Sequence, residues 1–300
     1  MPTRRDILAF AIVAAMGRVS AGQAQNRPRA VATFSILGDL VKNVGGEHAE
    51  VATLVGPNGD VHVYAPVPAA AKTLAAANIV FVNGLGLEGW LDWLIAASGS
   101  KAPVVVASRG IHPRKMTDER DSNRLVSDPH AWQSVANAEI YVANIRDGLM
   151  AADPAGKEFY QAHAAAYLTA LDALDREIKA AIATIPADRR KIITTHDAFG
   201  YFGDAYGLEF IALEGVSTDA EPSARDVANT IAQIRAQKIP AVFLENITDP
   251  RLLEQIAAET GAKIGGTIYS DALSPPNGPA ATYIDMIRHN VREFRHALTS

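Results

Sequence analysis

From position 153 to 185 the chain carries one uninterrupted amphipathic helix pattern, and it divides the remaining sequence into two halves of similar layout. Leu171, Leu174, Ile178, Ala181 and Ile185 recur at three- and four-residue steps, with Asp172, Asp175, Arg176 and Lys179 on the opposite side. Asp153-Pro154 supplies the start signal, an N-cap aspartate and a proline at the first helical position, and Pro186 stops the run. At 1.5 Å per residue such a helix is roughly 45 Å long, enough to reach from one domain to another. A packed helix restricts relative motion of the parts it joins, where a Gly/Ser linker would permit a wide hinge.

On both sides of this connector, short apolar runs alternate with helical stretches. Strands are expected at 29–35, 50–55, 78–82 and 103–107 with helices at 36–44, 69–77 and 88–97, then strands at 191–195, 208–213, 240–244 and 263–269 with helices at 223–237, 249–260 and 282–298. Such alternation implies parallel sheets covered on both faces. The expected architecture is therefore α/β: two lobes, each with a parallel four-stranded sheet flanked by helices, joined by one long rigid helix. The lobes fall at 28–150 and 190–300, the connector at 153–185. The cleft between them is the natural ligand site.

Residues 1–24 have the layout of an export signal: Arg4 and Arg5, an apolar run from Ile7 to Met16, then small residues around Ala21-Gly22-Gln23-Ala24. The apolar run is too short to span a bilayer. Thr3-Arg4-Arg5-Asp6-Ile7-Leu8 also resembles a twin-arginine signal. A periplasmic mature protein is expected. The chain contains no cysteine, which removes disulfides, thiolate ligands and a cysteine-borne lipid anchor together, so any metal must be held by His, Asp or Glu. With a net charge of −5 and no Lys/Arg stripe, the protein is not a nucleic-acid binder. Between 110 and 126 apolar periodicity ceases in the charged stretch His112-Pro113-Arg114-Lys115-Met116-Thr117-Asp118-Glu119-Arg120-Asp121-Ser122, which reads as a mobile surface loop.

Four residues are candidate metal ligands. His62 lies in the turn-rich Gly56-Pro57-Asn58-Gly59-Asp60-Val61-His62 just past the second strand, and His130 in Ser127-Asp128-Pro129-His130-Ala131-Trp132 ahead of a helix. His196 stands where the β-branched Ile192-Ile193-Thr194-Thr195 gives way to a helix carrying Phe199 and Tyr201, and Asp271 follows the last strand in Tyr269-Ser270-Asp271-Ala272. Each sits at the carboxyl end of an expected strand or in the loop beyond, two per lobe, where side chains of open parallel sheets converge. Three imidazoles and a carboxylate suit Zn²⁺ better than the all-oxygen sets of Ca²⁺ or Mg²⁺, while ligand type alone leaves Mn²⁺ and Fe²⁺ open. Glu245, at the end of the strand 240–244, is a candidate acceptor that would fix the tautomer of a ligand imidazole. His48, His163, His289 and His296 lack a second donor at ligand spacing and are not candidates.

The segments Gly56 to Pro66, Asp128-Pro129-His130-Ala131-Trp132, His196-Asp197-Ala198-Phe199-Gly200-Tyr201 and Tyr269-Ser270-Asp271-Ala272-Leu273 resemble, in order, the metal-binding segments of the cluster A-I solute-binding proteins of zinc/manganese ABC transporters. The resemblance runs from about Val31 to the C-terminus. It implies two lobes bridged by one long helix, with one transition metal held between them by His62, His130, His196 and Asp271. A histidine at the third position is usually associated with zinc in that family and a glutamate with manganese. Two departures stand out: Asp60-Val61-His62 replaces the frequent Asp-Pro-His, which alters loop stiffness, and Gln133-Ser134 follows Trp132 where Leu-Asp is commoner, which changes the hydrogen bonding at the helix start. The histidine-rich loop of many zinc members is reduced here to His112.

The resulting expectation is a periplasmic receptor, not an enzyme and not lipid-anchored, that captures one Zn²⁺ and delivers it to an ABC transporter permease in the inner membrane. It is expected to be a monomer, with a periplasmic metallochaperone as a further candidate partner. The same role for Mn²⁺ or Fe²⁺ is the alternative. A zinc hydrolase using Asp271 as general base is a weaker rival, since no nucleophile motif or His-Glu-x-x-His run accompanies the histidines.

Overall fold

The computed structural model describes residues 27–117, 124–215, 217–219 and 222–299; the export segment expected over 1–24 lies outside them. The first half runs β1 (Arg29–Phe34), α1 (Ser35–Gly45), β2 (Glu50–Val55), α2 (Pro68–Ala75), β3 (Ile79–Val82), α3 (Leu91–Ser98) and β4 (Val104–Val106). All four strands pair in parallel, in the order β2-β1-β3-β4. After the exposed Arg29 every residue of β1 is buried, as a central strand covered on both faces requires. Several element ends shift by a residue or two from the expected spans, and two of the shifts have clear local reasons. Ser35 opens α1 instead of closing β1, and its hydroxyl accepts the Leu273 backbone N–H at 2.9 Å. Helix α3 begins at Leu91 rather than 88 because the Glu88 carboxylate is taken up by the turn after β3, accepting from Asn83 N–H (2.6 Å), Gly84 N–H (3.1 Å) and Thr33 Oγ1 (2.7 Å).

The described parts of the charged stretch after β4 form regular structure. β5 (Lys115–Thr117) and β6 (Leu125–Ser127) pair antiparallel as a hairpin stem, although the residues 118–123 between them are outside the described set. The chain then makes a 3-10 turn at Ala131–Gln133 and enters α4 (Val135–Ala152), followed by the connector α5 (Lys157–Ala183), 27 residues long. Its buried positions are Tyr160, Ala164, Tyr167, Leu171, Leu174, Ile178 and Ile182, alternating steps of three and four until the end. Ile182 rather than Ala181 completes the buried stripe. Asp153 does not cap this helix: its carboxylate accepts from Tyr160 Oη at 2.8 Å, and a 3-10 turn at Pro154–Gly156 precedes α5.

The second half repeats the layout with β7 (Lys191–Thr194), α6 (Gly200–Tyr206), β8 (Glu209–Ala212), α7 (Ala224–Gln237), β9 (Ala241–Glu245), α8 (Arg251–Thr260), β10 (Lys263–Ile268) and α9 (Tyr283–Thr299). Its parallel sheet has the order β8-β7-β9-β10, the same arrangement as in the first half. Two separate apolar clusters lie on the outer faces, around Leu74, Val80 and Leu94 in one half and Val242, Leu253 and Ile256 in the other. The largest cluster lies between the sheets and is continuous, running from Ala30 and Phe81 through Trp132, Tyr141, Leu171 and Leu174 to Ile192, Phe243, Tyr283 and Phe294. Each fully buried aliphatic side chain in it, such as Leu171 or Leu174, contributes about 1.5–3 kcal/mol of transfer free energy. The connector is thus the spine of a shared core, which holds the carboxyl ends of both sheets against each other.

Candidate metal centre

His62 projects from the loop after β2. That loop is pinned to the other half: Asn58, in the left-handed conformation (φ 54°), donates its N–H to Leu273 O at 2.9 Å, and Asn246 Nδ2 donates to Asn58 Oδ1 at 3.0 Å. Val61, at the position where the related segments often have proline, is fully buried and its carbonyl accepts from Trp90 Nε1 at 2.8 Å. Burial and an indole hydrogen bond therefore replace the stiffness a proline ring would give. Asp60 Oδ1 accepts the His62 N–H at 2.8 Å, and Thr218 Oγ1 donates to Asp60 Oδ2 at 2.5 Å.

His130 is set by the same local device. Asp128 Oδ1 accepts the His130 N–H at 3.0 Å, an aspartate bonding two residues ahead, and also faces His130 Nδ1 at 2.9 Å. Asn83 Nδ2 donates to Pro129 O at 2.9 Å, and Tyr141 Oη donates to Asn83 Oδ1, so the peptide before His130 is anchored to the β3 end. The Gln133-Ser134 departure has two outcomes. Ser134 provides no side-chain cap to α4, but Gln133 Nε2 donates to Ser270 O at 2.8 Å, beside Trp132 Nε1 at 3.0 Å. Both bonds fix the peptide immediately before Asp271.

His196 follows β7 and Asp271 follows β10, and both are fully buried. Glu245, the last residue of β9, accepts the His196 N–H through Oε1 at 2.9 Å and faces His196 Nδ1 through Oε2 at 2.6 Å. The structure thus puts Glu245 where a tautomer-fixing acceptor is expected. Asp128 plays the matching part for His130; it went unassigned in the sequence although the Asp-x-His spacing, present also at Asp60-Val61-His62, is a legible signal.

The four candidate ligands meet. One donor atom from each of His62, His130, His196 and Asp271 lies within 4.8 Å of the others. Asp271 Oδ2 is 3.0 Å from His62 Nε2, 3.1 Å from His196 Nε2 and 3.6 Å from His130 Nε2, and the His62 and His130 Nε2 atoms are 3.2 Å apart. A tetrahedral ion with bonds of about 2.0–2.1 Å spaces its donors roughly 3.3 Å apart, so the set matches a single transition-metal ion. His130 Nδ1 pairs with Asp128 and His196 Nδ1 lies beside Glu245, which leaves the Nε2 atoms of both rings turned to the Asp271 oxygen. That cluster requires a cation at its centre, whether a metal or added protons. Asp271 Oδ1 is buried and has no hydrogen-bond partner among the described residues.

The electrostatics express the same need. Burial alone would lower the His130 pKa, yet the Asp271 and Asp128 carboxylates outweigh it and push it up to about 9. For His196 burial is likewise outweighed, by Glu245 and Asp271, and its pKa is raised well above the ordinary histidine value. Burial would raise Asp271, but the facing imidazolium groups hold its carboxyl well below the usual range. Of the histidines set aside earlier, His48 and His163 stack on opposite sides of the Phe159 ring (centroids 3.7 and 3.9 Å), and His289 Nε2 lies 2.9 Å from Thr267 O. Those contacts are packing and local hydrogen bonding, and none of these histidines belongs to the four-residue cluster.

Comparison with known proteins gives a consistent picture. Residues 30–297 match the family described as zinc-uptake complex component A, periplasmic. The chain is 34% identical to a manganese-binding lipoprotein of Halalkalibacterium halodurans, over 98% of this chain and 97% of that protein. It is 34% identical to an iron-binding protein of Yersinia pestis (97% and 95% covered) and 29% identical to a manganese ABC transporter substrate-binding lipoprotein of Streptococcus pneumoniae (97% and 95%). The periplasmic zinc-binding protein of Treponema pallidum superposes with a TM-score of 0.85 at 30% identity, covering 91% of this chain and 99% of that one. Two of these relatives are lipoproteins, which runs against the expectation of an anchor-free receptor, while export is common to all readings. Their metals differ, so likeness to them fixes a transition-metal cargo without choosing the ion.

Proposed function

Because this chain belongs to the periplasmic component A family of zinc-uptake complexes, whose members are the substrate-binding parts of ABC transporters and not enzymes, we propose that it captures one divalent transition-metal ion with His62, His130, His196 and Asp271 and passes it to a membrane permease. The observation that carries the reading is the convergence of three imidazole nitrogens on one buried carboxylate oxygen, at 3.0–3.6 Å. Four protein donors fill a tetrahedral shell, which makes a holding site; a hydrolytic site would keep a position open for water. The Asp271 oxygen, at donor spacing from all three imidazole nitrogens, supports a ligand role for it over that of a base at a distance.

Zn²⁺ is the proposed cargo, on the strength of a nitrogen-rich, four-donor set. Mn²⁺ and Fe²⁺ form a second reading with its own support: Asp271 Oδ1 is free to bind alongside Oδ2, and a fifth oxygen contact suits ions that prefer higher coordination. Before an ion binds, the proton-loaded imidazoles keep the cluster from being an unbalanced buried charge; the arriving ion displaces those protons. Three carboxylates surround the ligand imidazoles, Asp128, Glu245 and Asp271, all at most 3% exposed. A divalent ion neutralises two of those charges, and docking to the permease would release it by shifting His196 and Asp271 relative to His62 and His130. Elemental analysis of protein exposed to equal Zn²⁺, Mn²⁺ and Fe²⁺, beside His196→Ala, tests the assignment. One equivalent of zinc in the wild type and none in the variant is expected. Retention of manganese or iron in preference to zinc would overturn the zinc cargo, and full metal loading of the variant would overturn the site.

A further inference from the structure

The hairpin stem crosses from one half of the molecule to the other, and its contacts converge on a single arginine. Arg114 precedes β5, its carbonyl accepts the Asp128 N–H at 2.9 Å, and its own N–H donates to Tyr201 Oη at 2.9 Å. Tyr201, on α6 of the other half, donates its hydroxyl to Asp128 O at 3.0 Å. The guanidinium lies against Gly200, where a Cβ would come within 2.5–2.8 Å of its Nη1, Cζ and Nε. From there Nη1 reaches Asp128 Oδ2 at 3.4 Å and Nε reaches Asp204 Oδ2 at 3.3 Å. One planar side chain therefore bridges the carboxylate that orients His130 and the helix that follows His196. It also meets negative charge behind the centre: Arg114 rests on the buried Asp128 carboxylate, and Asp197, next to His196, lies within electrostatic reach of the same guanidinium.

We propose that Arg114, clasped by Tyr201 and Asp204 across the cleft, is a latch that sets how fast the bound metal leaves. The inference rests on the receptor reading and adds a positioning residue to it. Arg114 touches no ion; it acts by holding the His130-bearing turn and the His196-bearing segment in one register. Lysine could neutralise Asp128 but lacks the planar fork that spans two carboxylates over a glycine. Because Arg114 is partly exposed, the latch is open to screening by salt, whereas the fully buried His130, His196 and Asp271 are not.

The test is stopped-flow release of Zn²⁺ into excess EDTA, read by tryptophan fluorescence, since the Trp132 ring lies 5.3 Å from that of His130. Arg114→Gln is expected to speed release by roughly 10–100-fold, the usual effect of losing a partner that orients a ligand. Tyr201→Phe, which removes two hydrogen bonds across the cleft, should speed it roughly 5–30-fold. Gly200→Ala changes no charge but lifts the guanidinium off its seat and should shift the rate in the same direction. Association rates should stay within about 2-fold, and wild-type release should quicken with ionic strength while that of Arg114→Gln does not. A merely structural role would lower the thermal midpoint of the metal-free variants without this split between release and capture. Wild-type release rates in Arg114→Gln and Tyr201→Phe would overturn the latch alone. A wild-type protein that takes up no Zn²⁺, Mn²⁺ or Fe²⁺ would overturn the receptor reading and the latch with it.

Discussion

Metal affinity should rise steeply with pH, over a window set by the buried carboxylates and not by free histidine. With its pKa pushed up to about 9, His130 is almost wholly protonated at pH 7 in the metal-free protein. An incoming ion must displace that proton, at about 1.36 kcal/mol per pH unit below the pKa. At pH 7 this amounts to about 2.7 kcal/mol, so apparent affinity is roughly 100-fold below its value at high pH. The slope of log K against pH should be about one from His130 alone and steeper where His196, also raised, gives up a proton. The sign for the metal-free fold is the reverse. A histidine whose folded pKa lies above its unfolded value of about 6.5 stabilises the fold below pH 6.5, and that contribution is lost as pH climbs through about 9. Metal-free protein should therefore melt lower at pH 9 than at pH 6.5, while the gap between metal-bound and metal-free midpoints widens. Calorimetric titration with Zn²⁺ in buffers of different ionisation enthalpy counts the protons. Release of less than about half a proton at pH 7, or an affinity already level above roughly pH 6.5, would refute the reasoning.

The carboxylates behind the ligands can be tested directly. Glu245→Gln and Asp128→Asn should each weaken metal binding by roughly 10–100-fold with the four ligands intact, measured by competition against a chelator of known affinity; an unchanged affinity in both would mean that the imidazoles hold their orientation unaided. Asp271→Asn should abolish tight binding and cost the metal-free protein about 3–5 kcal/mol in urea denaturation, because it strips the buried imidazolium groups of their shared partner. It should also flatten the pH dependence of stability, and a denaturation profile that keeps the wild-type pH response would contradict the origin assigned to the raised histidines.

Much of the architecture was legible because its signals are local. Glu50–Val55 matches its expected span, the connector stripe of Leu171, Leu174 and Ile178 is buried as its spacing requires, and the recurring strand-helix alternation translates into two sheets of the same strand order. The four candidate ligands were legible for a related reason: they follow strand ends, and parallel sheets gather such residues along one edge. What escaped notice depends on partners far away in the chain. Nothing near Glu88 announces that its carboxylate belongs to the turn after β3, nor does any periodicity reveal that Gln133 reaches Ser270. The charges after Gly110 have no repeat, so nothing local announces that Arg114 meets Tyr201 and Asp204, 87 and 90 residues on. Asp153 had the right local features for a cap, and lost that role to a tyrosine one helical turn into the next element.

The unbroken apolar interior along α5 has a bearing on how the protein was assembled and how it can be taken apart. Although its two sheets share one strand order, neither half owns a complete interior: Leu171 and Leu174 belong to the same cluster as Phe81 on one side and as Phe243 and Phe294 on the other. Splitting the chain at the connector would strand oily surface on both fragments, so the halves should depend on each other for stability. On the receptor reading, a bound ion would then leave through small slippages at the rim of a body that never comes fully apart.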